Sequence, residues 1–433
     1  MDLLSSNDRF AEYPDSWYAA TTDLPGLAEP AAGDLTCDVC IIGAGFTGLS
    51  SAIHLAKNGY DVVLLDAHRV GFGASGRNGG QVGTGQRLDQ EELENMVGLQ
   101  TARRLWDLSL ESVRLVRELM ADGGIDCGYA DGIIHADHRK RFVPHSHSYT
   151  RKMQDEYGYE KIRALDQDEI HHLVASPAYF GGALDMGGGH FHPLKFALGL
   201  ADMARNAGVR IFEGSRVRRL EEESPAKIST DQSEITARFV VLACNGYLGN
   251  LQAKVAQRVM PINNFIVATE PLGREEANAL IRNNYAVADS KFVINYFRMS
   301  EDHRLLFGGH ESYGYRFPKD IAGSVRKPMA AIFPQLADKK IDYSWGGTLG
   351  ITMNRMPHFE RLQGNIVSAS GYSGHGVALA TLGGKLAAEA IGGQAERFDL
   401  MADVPTQRFP GGVAMRRPLL VLAMVWFSLR DKL

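Results

Sequence analysis

A glycine-rich turn between two short apolar runs constrains the fold of this chain more than any other feature of its sequence. The run at residues 39–42 leads into Gly43-Ala44-Gly45-Phe46-Thr47-Gly48, and apolar residues then recur at helical spacing as far as Gly59. A second apolar run, residues 62–65, ends at Asp66. Strand, turn, helix and strand in this order are typical of a βαβ unit with parallel strands. We therefore predict a Rossmann-type α/β domain near the N-terminus.

The glycines of this turn meet separate physical requirements. Gly43 permits the tight turn, Gly45 lets the backbone approach a phosphate without a Cβ in the way, and Gly48 lets the helix pack closely on the strand. The helix N-terminus offers free N–H groups to an anion. Asp66 follows Gly43 by 23 positions, close to the offset of about 20 at which an acidic side chain binds a ribose hydroxyl. These features together predict a dinucleotide site.

Composition excludes several classes of protein. The chain has 433 residues, which predicts two or three domain-sized units of ~100–200 residues each. Its 46 basic and 51 acidic residues give a net charge of −5, without the clustered basic excess of a nucleic-acid-binding protein. Residues 1–14 lack the pattern of a secretory signal, so we expect a cytoplasmic protein. The sequence makes no prediction of the oligomeric state.

The longest apolar run covers residues 418–427 and is followed by Arg430 and Lys432. It is too short to span a bilayer, which requires ~20 residues. We therefore expect no transmembrane segment and an amphipathic helix packed on the protein itself, with a peripheral membrane anchor as the alternative.

Two motifs could suggest a metal or redox site, and we reject both. Cys37 and Cys40 form a CxxC pattern inside the first strand, where residues three apart diverge, and no second CxxC follows. His190 and His192 stand at strand spacing, but no third ligand type clusters with them. We predict free buried thiols in a reducing cytoplasm and no bound metal.

Two further blocks carry glycine-rich turns. Residues 71–81 contain five glycines in eleven positions and cannot form a packed strand or helix, whereas they can wrap around a flat or anionic ligand. A flexible surface loop is the alternative, and the polar side chains of Arg77, Asn78 and Gln81 favour the ligand. Later, the apolar run at residues 366–370 enters a glycine-rich turn that opens a helix at about Val377. A second helix N-terminus stabilises negative charge, which favours a flavin over a nicotinamide.

The remaining patterns lie outside these glycine-rich blocks. Helical spacing of apolar residues predicts helices over residues 91–119 and from Pro193 to Gly208. From residue 259 to residue 349, short β-rich runs alternate with turns, which predicts an antiparallel sheet that could cover a cofactor. Residues 131–160 are polar and give no clear pattern.

With these blocks in place, the chain resembles the D-amino-acid oxidase superfamily of FAD-dependent amine oxidases. The matching stretches extend from Cys37 to the C-terminus and read CDVCIIGAGFTGLSSAIHLA, GFGASGRNGGQ, GGGHFHPL, FPQL, KIDYSW, NRMPHF, GYSGHGV, AERFD, FPGG and SLRDKL. GASGRNGGQ and GYSGHG are far more specific than the dinucleotide turn. Within the superfamily, the likeness is greatest to bacterial enzymes that oxidise γ-glutamylputrescine.

The resemblance implies a mixed α/β fold of two domains. A discontinuous Rossmann-type FAD domain would comprise residues 1–90, 187–255 and 346–433. A substrate domain, residues 91–186 and 256–345, would cover the flavin with a mostly antiparallel sheet. Carried over by position, the implied FAD contacts are Gly43, Gly45, Phe46, Thr47, Gly48, Asp66, Ala67, Gly73, Ala74, Ser75, Arg77, Asn78, Gly79, Gly80, Gln81, Val217, Ala243, Gly246, Ser373, Gly374, His375, Gly376 and Val377.

The chain departs from its sarcosine oxidase relatives at two places. Those relatives attach flavin to a cysteine, and residues 347–352 here contain none, so we expect non-covalent FAD. They also carry a lysine near the flavin for reaction with oxygen, and the matching strand here reads Leu305-Leu306-Phe307. Molecular oxygen as the acceptor is therefore implied by analogy alone.

The resemblance implies transfer of a hydride from a primary or secondary amine to the flavin. γ-Glutamylputrescine or a related polyamine would give an aldehyde, ammonia and hydrogen peroxide. Candidate catalytic residues are His375, at the flavin edge, and Tyr296 and Arg298, which alternate onto one face of a strand. Arg298 could bind the glutamyl carboxylate or form a structural ion pair, and His375 could instead be a hydrogen-bonded turn residue.

Two alternatives stay open. One is a flavin dehydrogenase that oxidises an amino acid or an N-methyl amine and passes electrons to a quinone or carrier. The other is a flavoprotein without turnover that serves as a binding or structural module.

Overall fold

The structure is a computed structural model that describes residues 2–312 and 314–411. The helix expected at residues 418–427 lies outside the described residues. The β-strands are β1 (Gly33–Ile42), β2 (Val62–Leu65), β3 (Gln81–Val82), β4 (Ala130–Ala136), β5 (Ile162–Leu165), β6 (Gly182–His190), β7 (Arg210–Phe212), β8 (Arg219–Glu221), β9 (Ala226–Ser229), β10 (Ser233–Leu242), β11 (Met260–Thr269), β12 (Ala286–Asp289), β13 (Tyr296–Met299), β14 (Leu305–Ser312), β15 (Ile341–Ile351), β16 (His358–Gln363) and β17 (Ile366–Ser370).

The α-helices begin and end between these strands. They are α1 (Trp17–Ala20), α2 (Phe46–Lys57), α3 (Gln90–Val97), α4 (Leu99–Gly123), α5 (Val143–Tyr157), α6 (Gln167–Leu173), α7 (Pro193–Asn206), α8 (Ala253–Ala256), α9 (Arg274–Leu280), α10 (Ile321–Ile332), α11 (Gly376–Ile391) and α12 (Glu396–Ala402). In the described ranges, no helix has both the length and the apolar character needed to cross a bilayer.

The first sheet is built around the predicted βαβ unit. Its strand order is β16-β17-β10-β1-β2-β7, and the small strands β9 and β8 pair alongside β10. The pairs β1–β10, β1–β2, β2–β7 and β10–β17 are all parallel. Helices α2 and α11 pack on each other and on this sheet, α7 packs on α2, and apolar residues of α2, α11 and β1 share one core cluster. The predicted Rossmann-type unit is therefore confirmed.

The second sheet has the order β15-β11-β14-β13-β12-β4-β6-β3, with β5 paired to β6. Neighbouring strands are antiparallel except for β12 and β4. Helix α10 packs on β11, β14 and β15, and their apolar side chains form a second core cluster. The predicted mixed α/β fold class, with a mostly antiparallel second sheet, is confirmed.

Local predictions were less accurate than the fold class. The helix expected over residues 91–119 is two helices, α3 and α4, because the chain turns at Gly98, whose φ is +81°. Residues 131–160, which gave no pattern, contain most of β4 and all of α5.

The side chains of the cysteine and histidine motifs are buried or hydrogen-bonded to the backbone. Cys37 and Cys40 are free and buried in β1, and burial raises the pKa of the Cys37 thiol to about 12. His190 Nε2 lies 2.6 Å from the carbonyl oxygen of Asn284. His192 Nδ1 accepts the backbone N–H of Lys195 and caps α7. Over residues 2–312 and 314–411, no group of three His, Cys, Asp or Glu side chains is placed to bind a metal.

Candidate active site

A cavity of about 700 Å³ extends along both glycine-rich blocks and the inner face of the second sheet. Its volume lies in the range of cofactor and substrate sites, ~300–1,000 Å³. The turn after β1, the loop at residues 71–81 and the turn before α11 form one end of it. Tyr296 of β13 packs on the glycine-rich loop, and side chains from β4, β6, β12 and α5 line the remainder of the cavity.

The turn after β1 is shaped by glycines that no larger residue could replace without movement. Gly43 has a φ of +109°, and a Cβ there would lie 2.7 Å from the carbonyl oxygen of Ala243. A Cβ at Gly48 would lie 1.8 Å from the Gly43 carbonyl oxygen. At Gly45 a Cβ would lie 2.8 Å from Ser75 Oγ, which accepts the backbone N–H of Phe46 at 3.0 Å. At the start of α2, backbone atoms rather than side chains would therefore face a bound ligand.

Asp66 closes this turn at the end of β2. Its carboxylate accepts the backbone N–H groups of Ala44 and His68, each at 2.8 Å. Burial raises the pKa of Asp66 from 3.8 to about 6 despite these hydrogen bonds. A carboxylate has about four acceptor positions, so two bonds leave it able to accept a ribose hydroxyl.

The loop at residues 71–81, termed here the glycine loop, is held in one conformation by its own side chains. Asn78 Nδ2 donates to the carbonyls of Ala74 and Ser75, and Asn78 Oδ1 accepts the Gly80 N–H at 2.7 Å. The hydroxyl of Tyr18 donates to the Asn78 carbonyl at 2.7 Å. The loop is thus a rigid wall rather than the flexible surface loop that composition also allowed.

Arg77 ties the glycine loop to the second sheet. Its guanidinium donates to the carbonyls of Phe72 and Gly346 and pairs with Asp8 at 2.7 Å, while its carbonyl accepts the indole N–H of Trp345. Within the described chain, Nη2 of Arg77 is buried without a hydrogen-bond partner. Because Arg77 also lines the cavity, this donor fits a polar group of a bound ligand.

The two glycine-rich blocks of the first sheet meet directly. The hydroxyls of Thr47 in α2 and Tyr372, just before α11, lie 2.8 Å apart. Ser51 Oγ donates to the carbonyl of Gly384, where a Cβ would lie 2.3 Å from the Thr47 carbonyl oxygen. Helices α2 and α11 therefore begin side by side at the same cavity, as the two blocks predicted. Their positive dipole ends favour an anionic ligand there.

His375 lies at the N-terminus of α11 and lines the cavity. Its Nε2 is 3.1 Å from the carbonyl oxygen of Gly85, an acceptor only, so this nitrogen carries the proton. Burial and the positive charge of Arg87 lower its pKa to about 4. His375 is accordingly a neutral, oriented imidazole at physiological pH.

Tyr296 in β13 also lines the cavity. Its hydroxyl and Asn264 Oδ1 lie 2.5 Å apart, and its ring packs on the backbone so closely that a Cβ at Gly79 would lie 2.7 Å from it. Burial raises the pKa of Tyr296 well above its usual range, so the phenol stays neutral.

Arg298 lies behind the glycine loop and does not line the cavity. Its guanidinium donates to the carbonyls of Gly79, Phe191 and Met299 at 2.8, 2.9 and 3.1 Å. The structure therefore favours a structural role for Arg298, although its partners are carbonyls rather than the carboxylate of an ion pair. The sequence could not distinguish this position from one facing the substrate.

The residues that the sequence assigned to the cofactor form two groups, according to whether they line the cavity. Those lining the cavity are Gly45, Phe46, Thr47, Ala74, Ser75, Arg77, Asn78, Gly79, Gln81, Ala243, Ser373, Gly374, His375, Gly376 and Val377. Those not lining it are Gly43, Gly48, Asp66, Ala67, Gly73, Gly80, Val217 and Gly246. Several residues of the second group pack behind the residues that line the cavity. Gly80, for example, has a φ of +76°, and a Cβ there would lie 2.1 Å from the Phe191 carbonyl oxygen.

Sequence reasoning missed several charged residues that line the cavity. Asp185 accepts the hydroxyls of Tyr159 and Thr84, and burial raises the pKa of Asp289 to about 6. The other missed residues are Arg87, Asp89, Asp137, Glu311 and Arg355. They come from unrelated loops and strands, and no spacing in the sequence relates them to one another.

The chain is similar to known oxidoreductases over nearly its whole length. Residues 38–390 match the family model DAO, described as FAD dependent oxidoreductase. The chain is 41% identical over 424 residues to γ-glutamylputrescine oxidoreductase of Escherichia coli, covering 98% of this chain and 99% of that protein. It is also 41% identical over 419 residues to the probable oxidoreductase OrdL of Rhizobium meliloti, covering 96% and 97% of the two chains.

Two solved structures have the same fold. Glycine oxidase from Geobacillus kaustophilus superposes with a TM-score of 0.72 at 22% identity, covering 86% of this chain and 99% of its own. L-Proline dehydrogenase from P. horikoshii gives a TM-score of 0.68 at 19% identity, with 92% and 99% covered.

Proposed function

The chain belongs to the DAO family of FAD-dependent oxidoreductases, and from that premise we propose that it oxidises the primary amine of γ-glutamylputrescine or of a related polyamine. The observation that carries this proposal is the 41% identity, over nearly the whole length of both chains, to a relative named for that substrate. The buried acidic side chains that line the cavity, Asp137, Asp185 and Asp289, support a substrate that carries an ammonium group, because buried carboxylates favour that charge.

The residues present fit FAD. The turn after β1 leaves only backbone beside the start of α2, where a Cβ at Gly45 would meet Ser75 Oγ at 2.8 Å, and Arg77 offers an unpaired buried donor. We propose that Gly43, Gly45, Thr47 and Gly48 hold the pyrophosphate, Asp66 the ribose, and residues 374–376 the pyrimidine edge. Binding is proposed to be non-covalent, since the described residues that line the cavity include no cysteine.

The proposed reaction requires a neutral amine held at a fixed place. FAD, when bound, would supply an acceptor for the hydride on the carbon next to the amine nitrogen and a path for the two electrons to an external acceptor. The chain itself supplies position and exclusion of water. Tyr296 and His375 are neutral, so they can position the substrate amine without adding charge. Desolvation in the cavity lowers the pKa of that amine and so favours its free base. The imine product then hydrolyses to aldehyde and ammonia.

The domain division is also a proposal. Residues 1–90, 187–255 and 346–433 would form the FAD domain, and residues 91–186 and 256–345 the substrate domain. The two sheets support this division, apart from β3, the end of β6 and the end of β15, which belong to the second sheet. A cytoplasmic location is proposed because Cys37, Cys40, Cys127 and Cys244 are free thiols.

A turnover assay tests the substrate and the acceptor together. We expect the holoenzyme in air to release hydrogen peroxide and ammonia with γ-glutamylputrescine, with a larger kcat/KM than with glycine, sarcosine or D-alanine. If amine oxidation requires an added quinone or dye and yields no peroxide, the electron acceptor is not oxygen and that part of the proposal is wrong. A preference for an amino acid over every polyamine would overturn the substrate proposal.

The affinity for FAD is expected to fall on acidification because of Asp66. Its pKa of about 6 without ligand lies above the usual 3.8, and a ribose hydroxyl that donates to the carboxylate favours the ionised form. Below that pKa, FAD binding must therefore release a proton, and the dissociation constant rises by up to about tenfold per pH unit. Fluorescence titration of apoprotein with FAD over this range measures the slope. The Asp66→Asn variant should bind more weakly and without that slope, whereas an equally flat wild-type curve contradicts the role of Asp66.

A further inference from the structure

We propose that Arg87 and Arg355 form a carboxylate-binding subsite in the cavity, which selects amines that carry a carboxylate away from the oxidised nitrogen. This inference rests on the proposed function and deepens it. For γ-glutamylputrescine, the group bound would be the α-carboxylate of the glutamyl moiety.

Arg87 is presented to the cavity by a loop with a fixed backbone. The Gly85 N–H donates to Ser109 Oγ at 3.1 Å, and Gln86 Nε2 donates to the Leu105 carbonyl at 2.9 Å, so both neighbours are anchored to α4. Arg87 itself lines the cavity. Its guanidinium makes no hydrogen bond or ion pair with any residue of the described chain.

Arg355 reaches the same cavity from the turn between β15 and β16. Its φ is +66°, a region that side chains other than glycine rarely occupy. The turn is held by Asn354, which accepts the Met356 N–H and donates to the Pro405 carbonyl at 2.6 Å. Backbone strain of this kind persists where the surroundings enforce it, and it is common at ligand sites. The Arg355 guanidinium carbon lies 5.5 Å from the centre of the Phe292 ring.

The two guanidinium groups repel each other. Burial and the charge of Arg355 both lower the pKa of Arg87, although Asp89 and Glu311 oppose this shift. Neither arginine forms an ion pair with a described residue, in contrast to Arg77, which is paired with Asp8. An anionic ligand between them would relieve the repulsion, and a carboxylate accepts two parallel hydrogen bonds from a guanidinium.

The other arginines at or near the cavity already have partners. Arg87 itself follows Gly85 by two residues, and the Gly85 carbonyl oxygen lies 3.1 Å from His375 Nε2. Arg298, the arginine that the sequence suggested for the carboxylate, donates to three carbonyls instead. Among the described arginines that line the cavity, Arg87 and Arg355 are therefore the two whose charge is not already paired.

The test uses ligands that bind without turnover. γ-Glutamyl-n-butylamide has the carboxylate but lacks the amine to be oxidised, and N-butylbutanamide lacks the α-carboxylate and α-amine as well. Their dissociation constants are measured by calorimetry on FAD-loaded wild type, Arg87→Met, Arg355→Met and the exposed control Arg274→Met. γ-Glutamyl-n-butylamide ethyl ester, which keeps the α-amine, separates the effect of the carboxylate from that of the ammonium group.

We expect Arg87→Met and Arg355→Met each to raise the dissociation constant of γ-glutamyl-n-butylamide by about 10- to 100-fold. Both should leave the binding of the ester and of N-butylbutanamide unchanged, and Arg274→Met should change none. Equal weakening of all ligands, or wild-type affinity that does not depend on the carboxylate, would overturn the subsite. Because no turnover is needed, a protein that binds the acid through these arginines but does not oxidise γ-glutamylputrescine would contradict only the proposed function.

Discussion

Replacing Gly45 by valine should give a folded protein without bound FAD. A Cβ at this position would lie 2.8 Å from Ser75 Oγ, which already accepts the Phe46 N–H. The valine methyl groups would occupy the space through which the pyrophosphate approaches the start of α2. Losing several charge-assisted hydrogen bonds lowers affinity by about 100-fold or more. The measurement is the ratio of flavin to protein after purification, followed by titration of the apoprotein with FAD.

The matched control is Gly26→Val. A Cβ at Gly26 would have no heavy atom within 4 Å, and Gly26 does not line the cavity. This variant should retain FAD at the wild-type ratio. Circular dichroism shows whether Gly45→Val has kept its fold. A folded Gly45→Val protein that purifies with stoichiometric FAD would contradict the assignment of this turn to the pyrophosphate.

Replacing Arg298 by methionine should destabilise the protein and affect all substrates equally. The side chain is 4% exposed and donates to the carbonyls of Gly79, Phe191 and Met299. Removing these donors leaves buried carbonyls unpaired, at a cost of about 3 kcal/mol or more in the free energy of unfolding. Since Gly79 belongs to the glycine loop, FAD should also bind more weakly. Denaturant unfolding and kcat/KM for γ-glutamylputrescine and putrescine measure the two effects.

Arg326→Met is the control for this variant. Arg326 in α10 donates to the carbonyls of Ala337 and Lys339, each at 2.8 Å, and does not line the cavity. It should lose stability without losing affinity for FAD. If Arg298→Met lowered kcat/KM for γ-glutamylputrescine much more than for putrescine, Arg298 would be a carboxylate-binding residue and its structural role would be wrong.

Local sequence patterns predicted the part of the site that backbone conformation determines. Gly43, Gly45 and Gly48 can be interpreted from spacing alone, because a phosphate-binding turn of this kind needs glycine at these fixed positions. The block before α11 was found in the same way. The contact between Thr47 and Tyr372 shows that the two blocks meet, which follows from the parallel order β2-β1-β10-β17 of the sheet.

Side chains that act through long-range contacts could not be predicted in this way. Strand alternation placed Tyr296 and Arg298 on one face, but it could not show that Gly79 and Phe191 would surround the guanidinium of Arg298. Arg87 and Arg355 are 268 positions apart in the chain and share a cavity only in the folded protein. The break at Gly98 was also missed, because apolar spacing continues across it.

Anaerobic titration of the purified holoenzyme with γ-glutamylputrescine tests the central claim most directly. We expect a yellow protein whose visible flavin band bleaches with one equivalent of this amine, while Gly45→Val protein shows no such band. A flavin band that no amine bleaches, whether γ-glutamylated, free or N-methylated, would contradict the assignment of this cavity to amine oxidation.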